Sequence, residues 1–281
     1  MLYFPTVKTY PLSEDDESVN LTAYIAPACE EMTYNTKRRG ILICPGGGYA
    51  YCSQREGDPI AQAFIAKGFN AFVLGYTVNN KNHKGKKFPA QLIEAASAMK
   101  LIKDHAEEFC VDPDKIFVIG FSAGGHLAAS LGILYGSKYV TDALGIDENY
   151  ARPAGMLLGY PVITSGRFAH RGSIENILLD EKENEDALLR VSLEKQVSDT
   201  TVPAFIWHTR PDNCVPVENS LMLADALAEH NIPFEFHVYP NGGHGMSLAN
   251  ELVGYKGTYR VSHWFEEAVC WMRETTPEDI T

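Results

Sequence analysis

Short apolar segments rich in β-forming residues alternate with amphipathic segments of helical period along most of the chain. The apolar segments predict strands at residues 7–12, 19–26, 40–44, 71–74, 115–120, 155–162, 204–207 and 234–239. The amphipathic segments predict helices at residues 59–66, 89–108, 123–134, 221–228 and 264–272. Such alternation is typical of β-α-β units, so we expect an α/β fold with a mostly parallel central sheet and helices on both faces.

One segment, residues 164–203, interrupts the alternation. It is rich in Glu and Asp and much longer than the usual connection between elements of an α/β unit. We expect it to be either a lid or a long helical excursion. Because no repeat, low-complexity tract or linker divides the chain, residues 1–281 are predicted to form a single domain.

Composition excludes several classes of protein. The 281 residues are 45% hydrophobic and 21% charged, which is ordinary for a globular protein and unlike a disordered one. A net charge of −12 argues against nucleic acid or an anionic membrane as a partner, since both are bound through Lys and Arg. The basic loop at residues 81–87 does not change that conclusion. Association between copies of the chain is left open.

The pattern of the first residues does not predict a targeting signal. These residues carry no basic run followed by an apolar core, and no segment has the length of a membrane span. The cysteines form no CxxC pair and have no His at the spacing of metal ligands; they are Cys29, Cys44, Cys52, Cys110, Cys214 and Cys270. We therefore expect free buried thiols, a cytoplasmic protein and neither a metal nor a cofactor.

A G-x-S-x-G pentapeptide, residues 120–124, lies directly between a predicted buried strand and a predicted helix. That context is the one in which a serine is lifted onto a tight turn and exposed as a nucleophile. The N-terminus of the following helix also favours negative charge that develops beside the serine. Ser122 is therefore the candidate nucleophile.

A serine nucleophile needs a base, and the base needs an orienting carboxylate. His244 lies between glycines in a loop after the last predicted strand, so we predict that it is the base. For His208, at the end of the preceding strand, a packed or hydrogen-bonded role is the simpler interpretation. The other histidines named by the pattern lie within predicted helices or strands; they are His105, His126, His237 and His263.

The acid is expected between the serine and the histidine in chain order. Asp212 lies just after the strand at residues 204–207, although Asp beside Pro and Asn also caps turns. Asp180 and Asp199, in the long segment, are the alternatives. We predict Asp212.

Glycines also follow the strand at residues 40–44. The sequence Pro45-Gly46-Gly47-Gly48-Tyr49 lets bare backbone N–H groups approach a substrate oxygen, and the N–H of Ala123 would complete an oxyanion hole. Tyr49 is predicted to contact the substrate. A phosphate-binding loop is the alternative, but the loop lacks the Gly-Lys-Ser/Thr ending of nucleotide-binding loops.

These motifs together resemble the α/β-hydrolase superfamily over residues 40–272. Residues 192–197 (SLEKQV), 207–209 (WHT) and 216–220 (PVENS) are similar to a bacterial branch of acetyl esterases and acetylxylan-esterase-like sugar hydrolases. The glycine loop resembles the HGGG-type loop, with Pro45 in the place of the usual histidine.

The resemblance implies a specific activity. Gly47, Gly48 and Ala123 would donate hydrogen bonds to the oxyanion, and the substrate would be an acetylated saccharide or oligosaccharide. We therefore expect a serine carboxylic ester hydrolase that forms an acyl-enzyme on Ser122. The alternatives are a small prolyl-oligopeptidase-like serine peptidase and a non-catalytic ligand-binding protein with the same fold.

Overall fold

A computed structural model of the chain describes residues 5–27, 37–80, 85–255 and 260–277. Its strands are β1 (Thr6–Pro11), β2 (Asn20–Ile25), β3 (Arg38–Cys44), β4 (Asn70–Gly75), β5 (Val111–Phe121), β6 (Met156–Gly159), β7 (Ala204–Thr209) and β8 (Phe234–Tyr239). They form one sheet in the order β1-β2-β4-β3-β5-β6-β7-β8. Strand β2 is antiparallel to β1 and β4, and every other neighbouring pair is parallel. The expected α/β fold with a mostly parallel sheet is confirmed.

Helices cover both faces of the sheet. They are α1 (Asp58–Ala66), α2 (Ala90–Asp104), α3 (Ala123–Leu134), α4 (Lys138–Leu144), α5 (Arg171–Leu178), α6 (Glu185–Arg190), α7 (Glu218–Glu229) and α8 (Trp264–Thr275). Helices α1 and α8 pack on one face, and the apolar sides of α2 to α7 pack on the other. Within the described residues, every helix is too short or too polar to cross a lipid bilayer.

The central strands are apolar throughout because they are buried on both sides. In β3, Leu42 and Cys44 belong to the core under α2 and α3, whereas Ile41 and Ile43 belong to the core under α1 and α8. Successive side chains of a strand point to opposite faces, so a strand between two layers of helices needs an unbroken apolar run. This arrangement places the carboxyl ends of the parallel strands along one edge of the sheet. The loops that contain Ser122, Asp212 and His244 lie along this edge.

Two details differ from the sequence-based expectation. Helix α1 begins at Asp58, one residue before its predicted start, with Gly57 at its N-cap, and the Asp58 carboxylate accepts a hydrogen bond from the Tyr24 hydroxyl at 2.6 Å. The free state of the described cysteines is confirmed, and Cys44 is buried, but Cys110, Cys214 and Cys270 are exposed, each in a loop or on the outer side of a helix. Cys29 and residues 81–84 of the basic loop lie outside the described residues.

The long segment at residues 164–203 contributes α5, α6 and short helical turns but no strand, and the structure describes all of it. Strands β6 and β7, which flank it in the chain, pair directly, with Met156 beside Ala204 and Gly159 beside Trp207. The segment is therefore a helical excursion that leaves the sheet and returns to the neighbouring strand. Its first helix lies against the loops described next.

Candidate active site

Ser122 lies on a sharp turn between β5 and α3, with φ 54° and ψ −121°. The glycines around it are required by close backbone contacts. A Cβ atom on Gly124 would lie 2.1 Å from the Cys44 carbonyl oxygen, and a Cβ atom on Gly120 would lie 1.9 Å from the Gly124 carbonyl oxygen. Only glycine fits at both positions, so the pentapeptide holds Ser122 in a backbone conformation that a non-glycine residue rarely adopts.

The three loops bring Ser122, His244 and Asp212 into one hydrogen-bonded chain. His244 Nε2 lies 2.8 Å from Ser122 Oγ, and His244 Nδ1 lies 2.7 Å from Asp212 Oδ2. Ser122 follows β5, Asp212 follows β7 and His244 follows β8, so the parallel strands deliver all three to the same edge of the sheet. With Nδ1 donating to the carboxylate, His244 Nε2 is free to accept the serine proton.

The Asp212 carboxylate is buried and fully bonded. Its Oδ1 accepts the backbone N–H groups of Cys214 at 2.9 Å and Val215 at 3.0 Å. Burial alone would raise the pKa of this carboxyl, but hydrogen bonds from His208 and His244 outweigh it and hold the pKa well below its ordinary value. Asp212 therefore carries a negative charge toward His244 throughout the neutral pH range.

His208 lies beneath Asp212 as a packed, hydrogen-bonded residue, as expected. Its Nδ1 lies 2.8 Å from Ser220 Oγ, and its Nε2 lies 2.9 Å from the Val215 carbonyl oxygen and 3.4 Å from Asp212 Oδ2. Because Nε2 faces two acceptors, the proton of the neutral ring belongs there, and Nδ1 accepts from the serine hydroxyl.

The alternative acids lie away from the site. Asp180 pairs with Lys87 on the surface, and Asp199 pairs with His230 at 2.8 Å. Both carboxylates are largely exposed, and neither contacts His244. Of the three carboxylates considered as the acid, only Asp212 lies beside His244.

The glycine loop after β3 adopts conformations that favour glycine. Gly47 has φ +126° and Gly48 has φ +66°, and both line the cavity that contains Ser122 and His244. Ala123 is the first residue of α3, and the first N–H groups of a helix have no acceptor within the helix. Gly47 and Gly48 therefore line the same cavity as Ser122, and Ala123 directly follows Ser122 in the chain.

Tyr49, which the sequence predicts to contact the substrate, is not among the residues that line this cavity. Its side chain is 1% exposed and packs edge-to-face on Tyr76. Its hydroxyl lies 2.8 Å from Nδ1 of His126, whose Nε2 lies 2.9 Å from the Val191 carbonyl oxygen. With φ 57°, the backbone of Tyr49 turns the ring inward, so it anchors the end of the glycine loop to the core. Tyr51, two residues later, lines the cavity instead.

A buried carboxylate, Glu56, joins the glycine loop to the histidine loop. Its Oε2 accepts the Gly46 N–H at 2.9 Å, and its Oε1 accepts the Tyr160 hydroxyl at 2.6 Å. The Tyr160 oxygen in turn accepts the Ser247 N–H at 2.8 Å, and the Tyr160 ring packs against His244 with centroids 5.0 Å apart. The sequence analysis did not identify Glu56, because nothing in a local pattern shows that it turns inward.

The cavity in front of Ser122 has a volume of about 290 Å³. Besides the predicted residues, it is lined by side chains that the sequence analysis missed, namely Tyr51, Arg55, Glu56, His170, Asn176 and Cys214. Burial lowers the pKa of His170, and the nearby His244 lowers it further. His170 Nδ1 accepts from Ser173 N–H at 3.3 Å, which leaves Nε2 of the neutral ring as a donor.

Helix α5 of the excursion is tied to the glycine loop. Asn176 Nδ2 donates to the Gly48 carbonyl oxygen at 2.8 Å, and Asn79 Nδ2 donates to the Asn176 carbonyl oxygen at 2.8 Å. The excursion therefore forms one wall of the cavity and fixes the peptide group that follows Gly48. In the part of the chain that the structure describes, no three His, Cys, Asp or Glu side chains converge as metal ligands would.

Comparison with known proteins gives consistent matches. The family model described as BD-FAE matches residues 31–227. Endo-1,4-beta-xylanase B from Butyrivibrio fibrisolvens is 40% identical over 222 residues, which are 77% of this chain and 34% of that protein. An acetylxylan esterase from Xylanibacter ruminicola is 28% identical over 249 residues, which are 86% of this chain and 47% of that protein. The chain spans about a third to a half of the length of these two relatives.

Among solved structures, an acetyl ester-xyloside bifunctional hydrolase from Caldicellulosiruptor lactoaceticus has a TM-score of 0.80 and 34% identity, and the match covers 96% of this chain and 97% of that one. The sheet order, the loop positions and these matches agree with the resemblance inferred from the motifs. The chain belongs to the BD-FAE family and has the α/β-hydrolase fold.

Proposed function

We propose that this protein is a serine carboxylic ester hydrolase that removes acetyl groups from saccharides. The observation that carries the proposal is the continuous chain from Ser122 Oγ through His244 to Asp212, with contacts of 2.8 and 2.7 Å. A hydroxyl becomes an effective nucleophile when a base of this geometry takes its proton and a carboxylate orients that base.

The reaction follows from the positions of these groups. Ser122 Oγ attacks the ester carbonyl carbon while His244 Nε2 takes the hydroxyl proton, which gives a tetrahedral intermediate. The N–H groups of Gly47, Gly48 and Ala123 stabilise its oxyanion. The intermediate collapses as His244 returns the proton to the departing alcohol oxygen, which leaves an acyl-serine. Water then attacks the acyl-serine by the same steps and releases the acid.

The substrate class rests on three supports. Relatives and a structural neighbour bear the names endoxylanase, acetylxylan esterase and acetyl ester-xyloside hydrolase. The cavity at Ser122 is small, about 290 Å³, near the lower end of the range for ligand sites, which suits a short acyl group. A small acyl group on a neutral sugar also agrees with a protein of net charge −12, which would repel an anionic substrate.

The test is a labelling and turnover experiment. A fluorophosphonate probe should label the wild type and the control variant Ser13→Ala, and should not label Ser122→Ala. Turnover is then measured on p-nitrophenyl acetate, on acetylated xylo- and manno-oligosaccharides and on an aminoacyl p-nitroanilide. The proposal predicts deacetylation of the sugars at rates comparable to the chromogenic ester. Labelling of Ser122→Ala, or turnover of the anilide alone, would contradict it.

A further inference from the structure

A second cavity, of about 500 Å³, adjoins the cavity at Ser122. It lies between strand β2, the carboxyl end of β4 and the segment that follows the glycine loop. Ala50, Tyr51 and Ser53 line both cavities, so the two spaces meet along one wall. None of the groups in the proposed reaction lies in this second cavity, which leaves its role unexplained by the chemistry at Ser122.

Tyr51 forms the ridge between the two cavities. Its side chain is 59% exposed, a large exposure for an aromatic ring in a concave region. The ring lies beside the glycine loop, since a Cβ atom on Gly47 would be 3.2 Å from Tyr51 Cδ2. A molecule whose ester group reaches Ser122 would therefore pass over this ring on its way to the second cavity. An exposed aromatic ring offers a flat apolar surface beside a polar hydroxyl.

The lining of the second cavity is polar but nearly uncharged. Hydroxyl and amide side chains face it from Ser18, Asn20, Thr22 and Gln54, together with apolar side chains of β4. Its described lining contains no Lys or Arg, and its one carboxylate, Asp58, accepts the Tyr24 hydroxyl at 2.6 Å. Among the described residues of this lining, a phosphate or carboxylate ligand would find no cation. Ser18, Asn20 and Thr22 already hydrogen-bond within the protein, to Asp16, the Glu17 carbonyl and Thr9, and sugar hydroxyl groups can bond to the donor and acceptor positions that these groups retain, whereas an apolar acyl chain would only cover them.

We propose that the second cavity binds the sugar residues adjacent to the acetylated one in an oligosaccharide ester. Sugar rings have apolar C–H faces and a rim of hydroxyl groups, which match the Tyr51 ring and the amide and hydroxyl side chains. This inference rests on the proposed function, because it assigns the alcohol part of that substrate. It divides the site into a small cavity for the reacting ester at Ser122 and a larger cavity for the rest of the saccharide.

A consequence follows for substrate length. A substrate with one sugar fills only the cavity at Ser122, whereas a longer acetylated oligosaccharide also extends past Tyr51 into the second cavity and contacts Gln54. The wild type should therefore show a kcat/KM that rises from an acetylated xyloside to acetylated xylo-oligosaccharides of the same acetylation position. If the added contacts are equally strong in the bound ground state and in the transition state, the gain lies in KM, and contacts that strengthen in the transition state raise kcat as well.

The test compares this length gain between variants. In Tyr51→Ala, which removes the ring, and Gln54→Trp, which fills the cavity, the gain should fall about 3- to 10-fold, the loss expected for one aromatic contact. Each kcat/KM is divided by that of the same variant on p-nitrophenyl acetate, so an effect on the reaction itself cancels. Tyr150→Ala, at an exposed tyrosine that lines neither cavity, is the matched control and should keep the full gain.

Two results would overturn the inference. One is a length gain that both variants retain. The other is that the two variants keep the gain with oligosaccharide length but change their preference among p-nitrophenyl esters of increasing acyl length. That result would make the second cavity an acyl site. If the wild type hydrolyses no ester, the proposed function fails. Titration with unacetylated xylotetraose, followed by NMR, then decides the inference: binding that Gln54→Trp loses supports it, and the absence of binding refutes it.

Discussion

At the scale of single residues, the conformation of Ser122 has a measurable cost. Its φ of 54° and ψ of −121° fall where a Cβ atom is crowded, and such strain costs of order 1–3 kcal/mol. The hydroxyl is not the cause, because any residue with a Cβ atom meets the same crowding. Ser122, the proposed nucleophile, is thus held in place against a local preference for another backbone conformation.

We therefore predict that Ser122→Gly unfolds with a free energy about 1 kcal/mol higher than Ser122→Ala, since glycine relieves the strain while losing somewhat more backbone entropy on folding. Both variants lack the Ser122 hydroxyl, so activity does not enter the comparison. Urea denaturation of the two proteins, followed by circular dichroism, measures the difference. An alanine variant as stable as the glycine variant would show that the turn is unstrained.

Asp212 gives a second prediction at this scale. In Asp212→Asn the side chain keeps its shape, but the amide can present its NH₂ group to His244 Nδ1, which favours the wrong tautomer of the ring. We expect kcat to fall by about 10³- to 10⁴-fold, as for the equivalent change in serine proteases. Asp199→Asn, at an alternative acid that pairs with His230 on the surface, serves as the control and should retain full activity. A loss of less than tenfold in Asp212→Asn would remove Asp212 from its proposed role.

At the scale of elements, Glu56 and Tyr160 hold two loops in a fixed relation. The carboxylate accepts from Gly46 in the glycine loop, and the tyrosine hydroxyl accepts from Ser247 beyond the histidine. Since the two residues also bond to each other at 2.6 Å, a change in either one disturbs both loops. Their contribution is therefore cooperative rather than local.

We predict that Glu56→Gln lowers the free energy of unfolding by about 1–3 kcal/mol, because the amide has a single acceptor oxygen for two buried donors. Tyr160→Phe should cost a similar amount, and the double variant should cost less than the sum of the two. Urea unfolding of all four proteins in a double-mutant cycle measures the coupling. Additive costs would mean that the two loops are held independently.

His126 on α3 links the glycine loop to the excursion through Tyr49 and the Val191 carbonyl. Burial lowers the pKa of this imidazole to about 4, against an ordinary value of 6.5. Between these two pH values the unfolded chain binds a proton that the folded chain does not, so stability must fall as the pH falls through this range.

The expected loss from this one group between pH 7 and pH 5 is about 2 kcal/mol. His126→Gln should have a correspondingly shallower dependence of unfolding free energy on pH, even if it is less stable at pH 7. His230→Gln, at a partly exposed ring on the surface, is the control and should keep the slope of the wild type. Equal slopes in His126→Gln and the wild type would contradict the prediction.

At the scale of the whole molecule, the sequence predicted the features that depend on order along the chain. The alternation of apolar runs and amphipathic segments was enough to predict the sheet, and the loops with Ser122, Asp212 and His244 could be found because each follows a predicted strand. The same criterion distinguished Asp212, which follows a predicted strand, from Asp180 and Asp199, which lie in the long segment. The predicted residues at 122, 212 and 244 meet in space because parallel strands end at one edge.

Features that depend on how loops fold back could not be predicted in this way. Tyr49 belongs to the glycine loop by sequence, yet its positive φ turns the ring into the core and leaves Tyr51 at the cavity. His170 and Asn176 reach the cavity only because α5 docks on the glycine loop, and that docking has no local signature. The cavity lining formed by Tyr51, His170 and Asn176 is therefore the part of the site that could not be predicted from the sequence.

The direct pairing of β6 with β7 has a consequence for how this scaffold can change. Strands β6 and β7 pair directly, without a strand from residues 164–203 between them. Insertions and exchanges in that excursion therefore need not alter the strands that precede Ser122, Asp212 and His244. Asn176, through its bond to Gly48, is the point at which a new segment would have to be matched to the old framework. Sequence changes within this one contiguous segment can therefore reshape one wall of the cavity at Ser122 while Ser122, Asp212 and His244 keep their positions.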